Sequence, residues 1–195
     1  MKKIIFGLAI ATTILVACNS NSNKSAESQN KNLGLQAISQ ADIPPITDEK
    51  NVVLIKEIVS TYLQIKNAFT NDNAANAAIA GIALEAAFKN FDKTHLSAVQ
   101  KKTFEDVEDD AREHAEHIGK NGGNIEHQRE HFEMLSTDMY DLVKTFGAGQ
   151  VLYKDFCPMY NENKGAFWLS ETKEIKNPYL GKAMPTCGTI KEEIK

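Results

Sequence analysis

The chain carries four long segments with apolar residues at helical spacing, separated by breaks too short for anything but tight turns. The first runs from Glu49 to Phe69, with Val52, Ile55, Ile58, Val59, Tyr62, Ile65 and Phe69 recurring every three or four positions. Asn71-Asp72-Asn73 then supplies stop and cap residues. The second segment, Ala74 to Phe91, is rich in alanine, which favours helix and permits close helix contact. The third, Ala98 to Lys120, places Phe104, Val107, Ala111, Ala115 and Ile118 on one stripe and ends at Asn121-Gly122-Gly123-Asn124. The fourth, Ile125 to Phe146, has Ile125, Phe132, Leu135, Met139, Leu142 and Phe146 on one face, and Gly147-Ala148-Gly149 closes it. Helices of similar length joined by short turns favour an antiparallel four-helix bundle.

The remaining C-terminal residues read differently. Val151–Phe156 and Ala166–Leu169 have strand character, and Tyr160–Gly165 between them is turn-like, which predicts a β-hairpin. Asn177-Pro178-Tyr179-Leu180-Gly181 reads as a further turn. The expected fold is therefore all-α with a small β addition. Residues 49–149 form the bundle, and residues 150–195 form a hairpin and loop segment packed on it in the same domain.

The N-terminus reads as an export signal. Lys2 and Lys3 precede an apolar run from Ile4 to Val16, too short to span a bilayer, which needs about 20 apolar residues. Leu15-Val16-Ala17-Cys18 resembles the lipobox of bacterial lipoproteins. The resemblance implies cleavage after residue 17 and lipidation of Cys18. Asn19 follows, where an aspartate would resemble an inner-membrane retention signal, so the expected location is the outer membrane, facing the periplasm. Residues 18–48 make a lipidated tether. Its stretch 19–32 contains only polar residues and one alanine and cannot build a core. A flexible run of this kind has a root-mean-square span of about 30 Å.

Charge narrows the partners. The formal net charge of −4 becomes −6 once the leader's two lysines are removed. Phosphate binding needs concentrated lysine and arginine, so nucleic acid is not an expected partner. The membrane is, through the lipid.

With Cys18 committed to lipid, Cys157 and Cys187 are the remaining cysteines. Two sulfur pairs surround them. In Cys157-Pro158-Met159 the proline favours an extended backbone at Cys157, where residues two apart face the same side. In Met184-Pro185-Thr186-Cys187-Gly188 a tight turn can bring both sulfurs together. Two thiols and two thioethers are a soft donor set, suited to Cu(I) and by the same logic Ag(I). The alternative is a Cys157–Cys187 disulfide, which an oxidising compartment favours. Chain entropy assigns such a bond about 3.6 kcal/mol. Residues alone leave both readings open.

The histidines form a second cluster. His114 and His117 lie three apart, His127 and His131 four apart, and the Gly122-Gly123 turn folds their helices together. The competing reading is a solvated charged face, given Glu113, Glu116, Glu126 and Glu130. His127-Gln128-Arg129-Glu130-His131 matches the H-x-x-E-H pattern of inverted zinc peptidases, but only 64 residues follow, and they look like a hairpin. A di-iron bundle needs Glu-x-x-His on two helices, and none of these four histidines has a glutamate three before it. With no phosphate loop and no nucleophile elbow, the chain is not expected to be an enzyme.

These residues carry a family resemblance. Ile125–Phe132 with Leu135-Ser136, then Cys157-Pro158-Met159, Gly165–Ser170, Ile175–Gly181 and Met184–Gly188, are similar to a domain of unknown function in bacterial envelope lipoproteins. The same domain is appended to the C-terminus of some Cus-type copper/silver efflux adaptors. The resemblance covers about residues 50–195, is most specific after Val151, and is weakest between Asp92 and Asp110, around His95. It implies heavy-metal handling in the envelope, with an efflux adaptor as partner. It favours Cys157, Met159, Met184 and Cys187 as ligands to Cu(I) or Ag(I), with His127 and His131 as additional ligands.

Overall fold

A computed structural model describes residues 55–195. Residues 1–54 lie outside the described residues, and with them the expected leader, the expected lipidation site Cys18, the expected tether and Val52. The four helices are α1 (Lys56–Thr70), α2 (Ala74–Lys89), α3 (Ala98–Lys120) and α4 (Ile125–Phe146). Each packs on the next, and α1 also meets α4. Every apolar position expected on the α3 stripe is buried, as are those of α1 from Ile55 onward. On α4 the stripe is buried except Ile125, which is partly covered at the helix start.

The turns are held by the residues that interrupt the periodicity. Asn73 accepts a hydrogen bond from the Asn76 amide at 2.9 Å and caps α2. Ser97 and Gln100 form a reciprocal capping box at the start of α3. Asn124 accepts from the His127 amide at 3.2 Å at the start of α4. Between α2 and α3 the backbones come unusually close. A Cβ on Gly81 would lie 2.8 Å from the Ala115 oxygen and 2.8 Å from the Gly119 nitrogen.

The C-terminal segment is a three-stranded antiparallel sheet in the order β2-β1-β3, with β1 (Leu152–Cys157), β2 (Ala166–Ser170) and β3 (Thr189–Ile194). The β1–β2 hairpin lies where the two strand-like runs predict it, with Cys157 opposite Ala166. The third strand was not anticipated. Its sequence Thr-Ile-Lys-Glu-Glu-Ile is mostly exposed, and its edge position needs only Ile194 in the core. Three consecutive residues of the β1–β2 connection, Asn161, Glu162 and Asn163, have left-handed backbone at φ 51°, 56° and 67°.

Polar links join sheet and bundle. Leu169 donates its amide to the Tyr62 hydroxyl at 3.0 Å. Tyr62 donates to Ser136 at 2.8 Å, because Ser136 spends its own proton on the Phe132 carbonyl. Lys66, buried on α1, pairs with Glu171 just after β2 at 2.7 Å. Among the described residues no helix is long and apolar enough to cross a membrane.

Candidate metal-binding sites

The register of the sheet brings the two cysteines together. Phe156 pairs with Thr189, so the end of β1 lies beside the residues that lead into β3. The Cys157 and Cys187 sulfurs are 2.9 Å apart, and both residues are free thiols. Cys157 is fully buried, whereas Cys187 is part-exposed. The proton shared with Cys157, then burial, pushes the Cys187 thiol up to about 11, while the Met159 backbone amide pulls the other way. Met159 and Met184 are 49% and 39% exposed, so both thioethers are open to solvent rather than packed as core.

The turn carrying Cys187 is built around Asn177, which is fully buried. Its side-chain amide donates to the Cys187 carbonyl at 2.6 Å, and its backbone amide donates to Pro185 at 2.8 Å. Its side-chain oxygen accepts from the amides of Tyr179 and Leu180, each at 2.8 Å. Sequence reading placed a turn here but did not single out Asn177. The Asn-Pro dipeptide was the available signal. Arg129 on α4 anchors the same turn by donating to the Pro178 carbonyl at 2.7 Å.

The histidines also converge. One ring nitrogen from each of His117, His127 and His131 lies within 4.8 Å of the others. Gln128, buried between His127 and His131 in sequence, holds this end of the bundle together. Its amide donates to the Ile118 carbonyl at 2.8 Å and the Ala74 carbonyl at 3.1 Å. His117 and His131 stack with centroids 4.2 Å apart and planes at 14°. His114 joins from the side, with its Nδ1 3.2 Å from His131 Nδ1. His127 Nδ1 lies 3.2 Å from the Glu130 carboxylate, and His117 Nε2 lies 3.9 Å from Glu113. Burial, then the neighbouring His117, His127 and His114, push the His131 ring down to about 4. Burial likewise lowers His114. His131 is therefore neutral at neutral pH, with a lone pair to offer.

The three-histidine group contains neither cysteine. The cysteine and histidine ligands expected thus fall into two groups that do not share one ion-sized space. Cys157 and Cys187 meet in one. His127 and His131 meet in the other, joined by His117 and His114.

Residues 58–151 match a family model described as a protein of unknown function, DUF3347, so the chain carries a domain of unknown function. The matched stretch takes in most of α1 and all of α2, α3 and α4, and it ends just before β1. No curated protein matches the chain, and neither does any solved structure.

Proposed function

We propose that this chain is a lipid-anchored envelope protein that binds soft heavy-metal ions, Cu(I) or Ag(I), at Cys157 and Cys187 with Met159 and Met184 as thioether donors. Cys18 carries the lipid, residues 18–48 are the tether, and the domain faces the periplasm from the outer membrane. It would buffer the ion or pass it to an efflux adaptor. One observation supports this most: two free thiols lie 2.9 Å apart, Cys157 buried and Cys187 part-exposed. Thiolate and thioether donors select Cu(I) over harder ions. Titration of the fully reduced chain with Cu(I) against a chromogenic competitor is the test. Cys157→Ser and Met184→Leu each weaken binding if the reading holds. Binding equal to the parent in both variants removes it.

The same contact favours a second reading, in which the cysteines close a disulfide and the domain docks on another envelope protein. Intact mass before and after reduction, on chain isolated from cells without reductant, separates the two. A fully oxidised pair with no bound metal supports the structural role.

A further inference from the structure

The histidine cluster differs from the sulfur pair in donor type, position and surroundings. We infer that His117, His127 and His131 form a second metal centre, which takes a divalent first-row ion of borderline softness, such as Zn(II) or Cu(II). The inference goes beyond the sulfur reading and does not depend on it.

The geometry supplies three imidazole nitrogens within 4.8 Å of one another. A tetrahedral ion with metal–nitrogen bonds of about 2.0–2.1 Å needs its ligands roughly 3.3 Å apart, a gap that rotation of half-exposed rings closes. Two of the three rings have a polar partner at 3.2 Å on one nitrogen. His127 Nδ1 faces Glu130 at 3.2 Å, which leaves Nε2 for the metal. His131 Nδ1 faces His114 Nδ1 at 3.2 Å. One of the two must donate, and if His131 does, its Nε2 lone pair is free. His117 Nε2 lies 3.9 Å from the Glu113 carboxylate, close enough for electrostatic attraction but beyond hydrogen-bond reach. Acceptors of this kind fix the tautomer and orientation of ligating histidines. His114 is then a positioning residue, not a ligand.

The donor set indicates the ion. Imidazole suits zinc, copper and nickel, and Cu(II) stands highest in affinity among the first-row divalent ions. Three protein ligands leave a fourth position open, as in sites that exchange what they bind. His117 also lines a cavity of about 300 Å³ whose other walls are Glu85, Asp109, Arg112, Glu113 and Glu116. Four carboxylates against one guanidinium concentrate cations at that mouth and raise their rate of arrival.

The test uses the full chain carrying Cys157→Ser and Cys187→Ser, so that the sulfur site cannot contribute. Calorimetric titration with Zn(II) alone is expected to show one equivalent. Cu(II) alone is expected to give an electron paramagnetic resonance spectrum with nitrogen splitting. His127→Gln, at a side chain 35% exposed, preserves the helix and lowers affinity at least tenfold. His114→Ala lowers affinity about 10- to 100-fold, and His114→Gln, which restores an acceptor, recovers most of it. No bound equivalent, or affinity unchanged in a folded His127→Gln/His131→Gln chain, overturns the inference. Either result leaves the sulfur reading where it stood.

Discussion

Arg129 donates to the Asp72 carboxylate at 2.6 Å, joining α4 to the turn between α1 and α2. The same guanidinium donates to the Phe69 carbonyl at 3.0 Å and to Pro178 at 2.7 Å. Asp72 in turn accepts the Lys182 amide at 3.1 Å. Its carboxyl is held below the usual range, first by the Arg129 hydrogen bond. Replacing Arg129 with Met leaves these acceptors without their donor. The expected cost is about 2–3 kcal/mol, read as a lower urea midpoint. Cys187 should alkylate faster in that variant, and an unchanged rate would show that Arg129 does not position the thiol loop.

Gly181 sits against this pair with a left-handed backbone at φ 50°. A Cβ there would collide with the Asp72 carboxylate and lie 2.6 Å from Arg129 Nη2. Gly181→Ala is expected to destabilise the domain by about 1–3 kcal/mol through backbone strain. The steric clash adds to that figure. Thermal unfolding followed by circular dichroism measures it. A parent-like midpoint would mean the loop rearranges freely.

Tyr62 is fully buried and its hydroxyl is the acceptor for the Leu169 amide. Tyr62→Phe keeps the ring stack on Phe132, at 5.1 Å between centroids, but strands that amide. The expected loss is about 1–3 kcal/mol of stability. Hydrogen exchange at Leu169 should accelerate selectively, and uniform exchange rates would contradict the assignment.

Asp155 gives a pH prediction. It is fully buried, and neither carboxylate oxygen has a hydrogen-bond partner among the described residues. Burial pushes its carboxyl up from 3.8 to about 7, with Lys66 pulling the other way. Between those two values the unfolded chain gives up the proton while the folded chain keeps it. Stability from this group therefore falls as pH rises from about 4 to about 7, then stays level. His131 contributes the opposite slope, because its folded value of about 4 lies below the ordinary 6.5. Comparing Asp155→Asn with the parent at each pH isolates the carboxyl. The variant should gain on the parent between pH 4.5 and 8. A constant difference across that range would refute the assignment.

The helical part of this fold was legible because its signal is periodic. Phe104, Val107, Ala111, Ala115 and Ile118 announce a buried stripe without reference to any other segment. The hairpin was legible for a different reason: two short apolar, aromatic runs flank a turn-like stretch. β3 was not, since an edge strand with one buried residue leaves no alternation to read. That omission hid the reason Cys187 reaches Cys157, which lies in the pairing of Phe156 with Thr189. The histidines were readable as two pairs near one turn. Their convergence was not, because it depends on how closely α3 and α4 approach, as where Gln128 reaches the Ile118 carbonyl. Only the distances separate the imidazoles from the thiols.

The two clusters also differ in how much chain must fold before each exists. His114 and His131 are 17 residues apart and belong to consecutive helices. Cys157 and Cys187 are 30 apart and meet where the edge strand β3 begins beside the end of β1. Contacts between near neighbours in sequence form early, and those requiring non-local strand pairing form late. An ion held by the imidazoles would staple the α3–α4 hairpin while the sheet is still open. An ion held by the thiols would reach a finished domain.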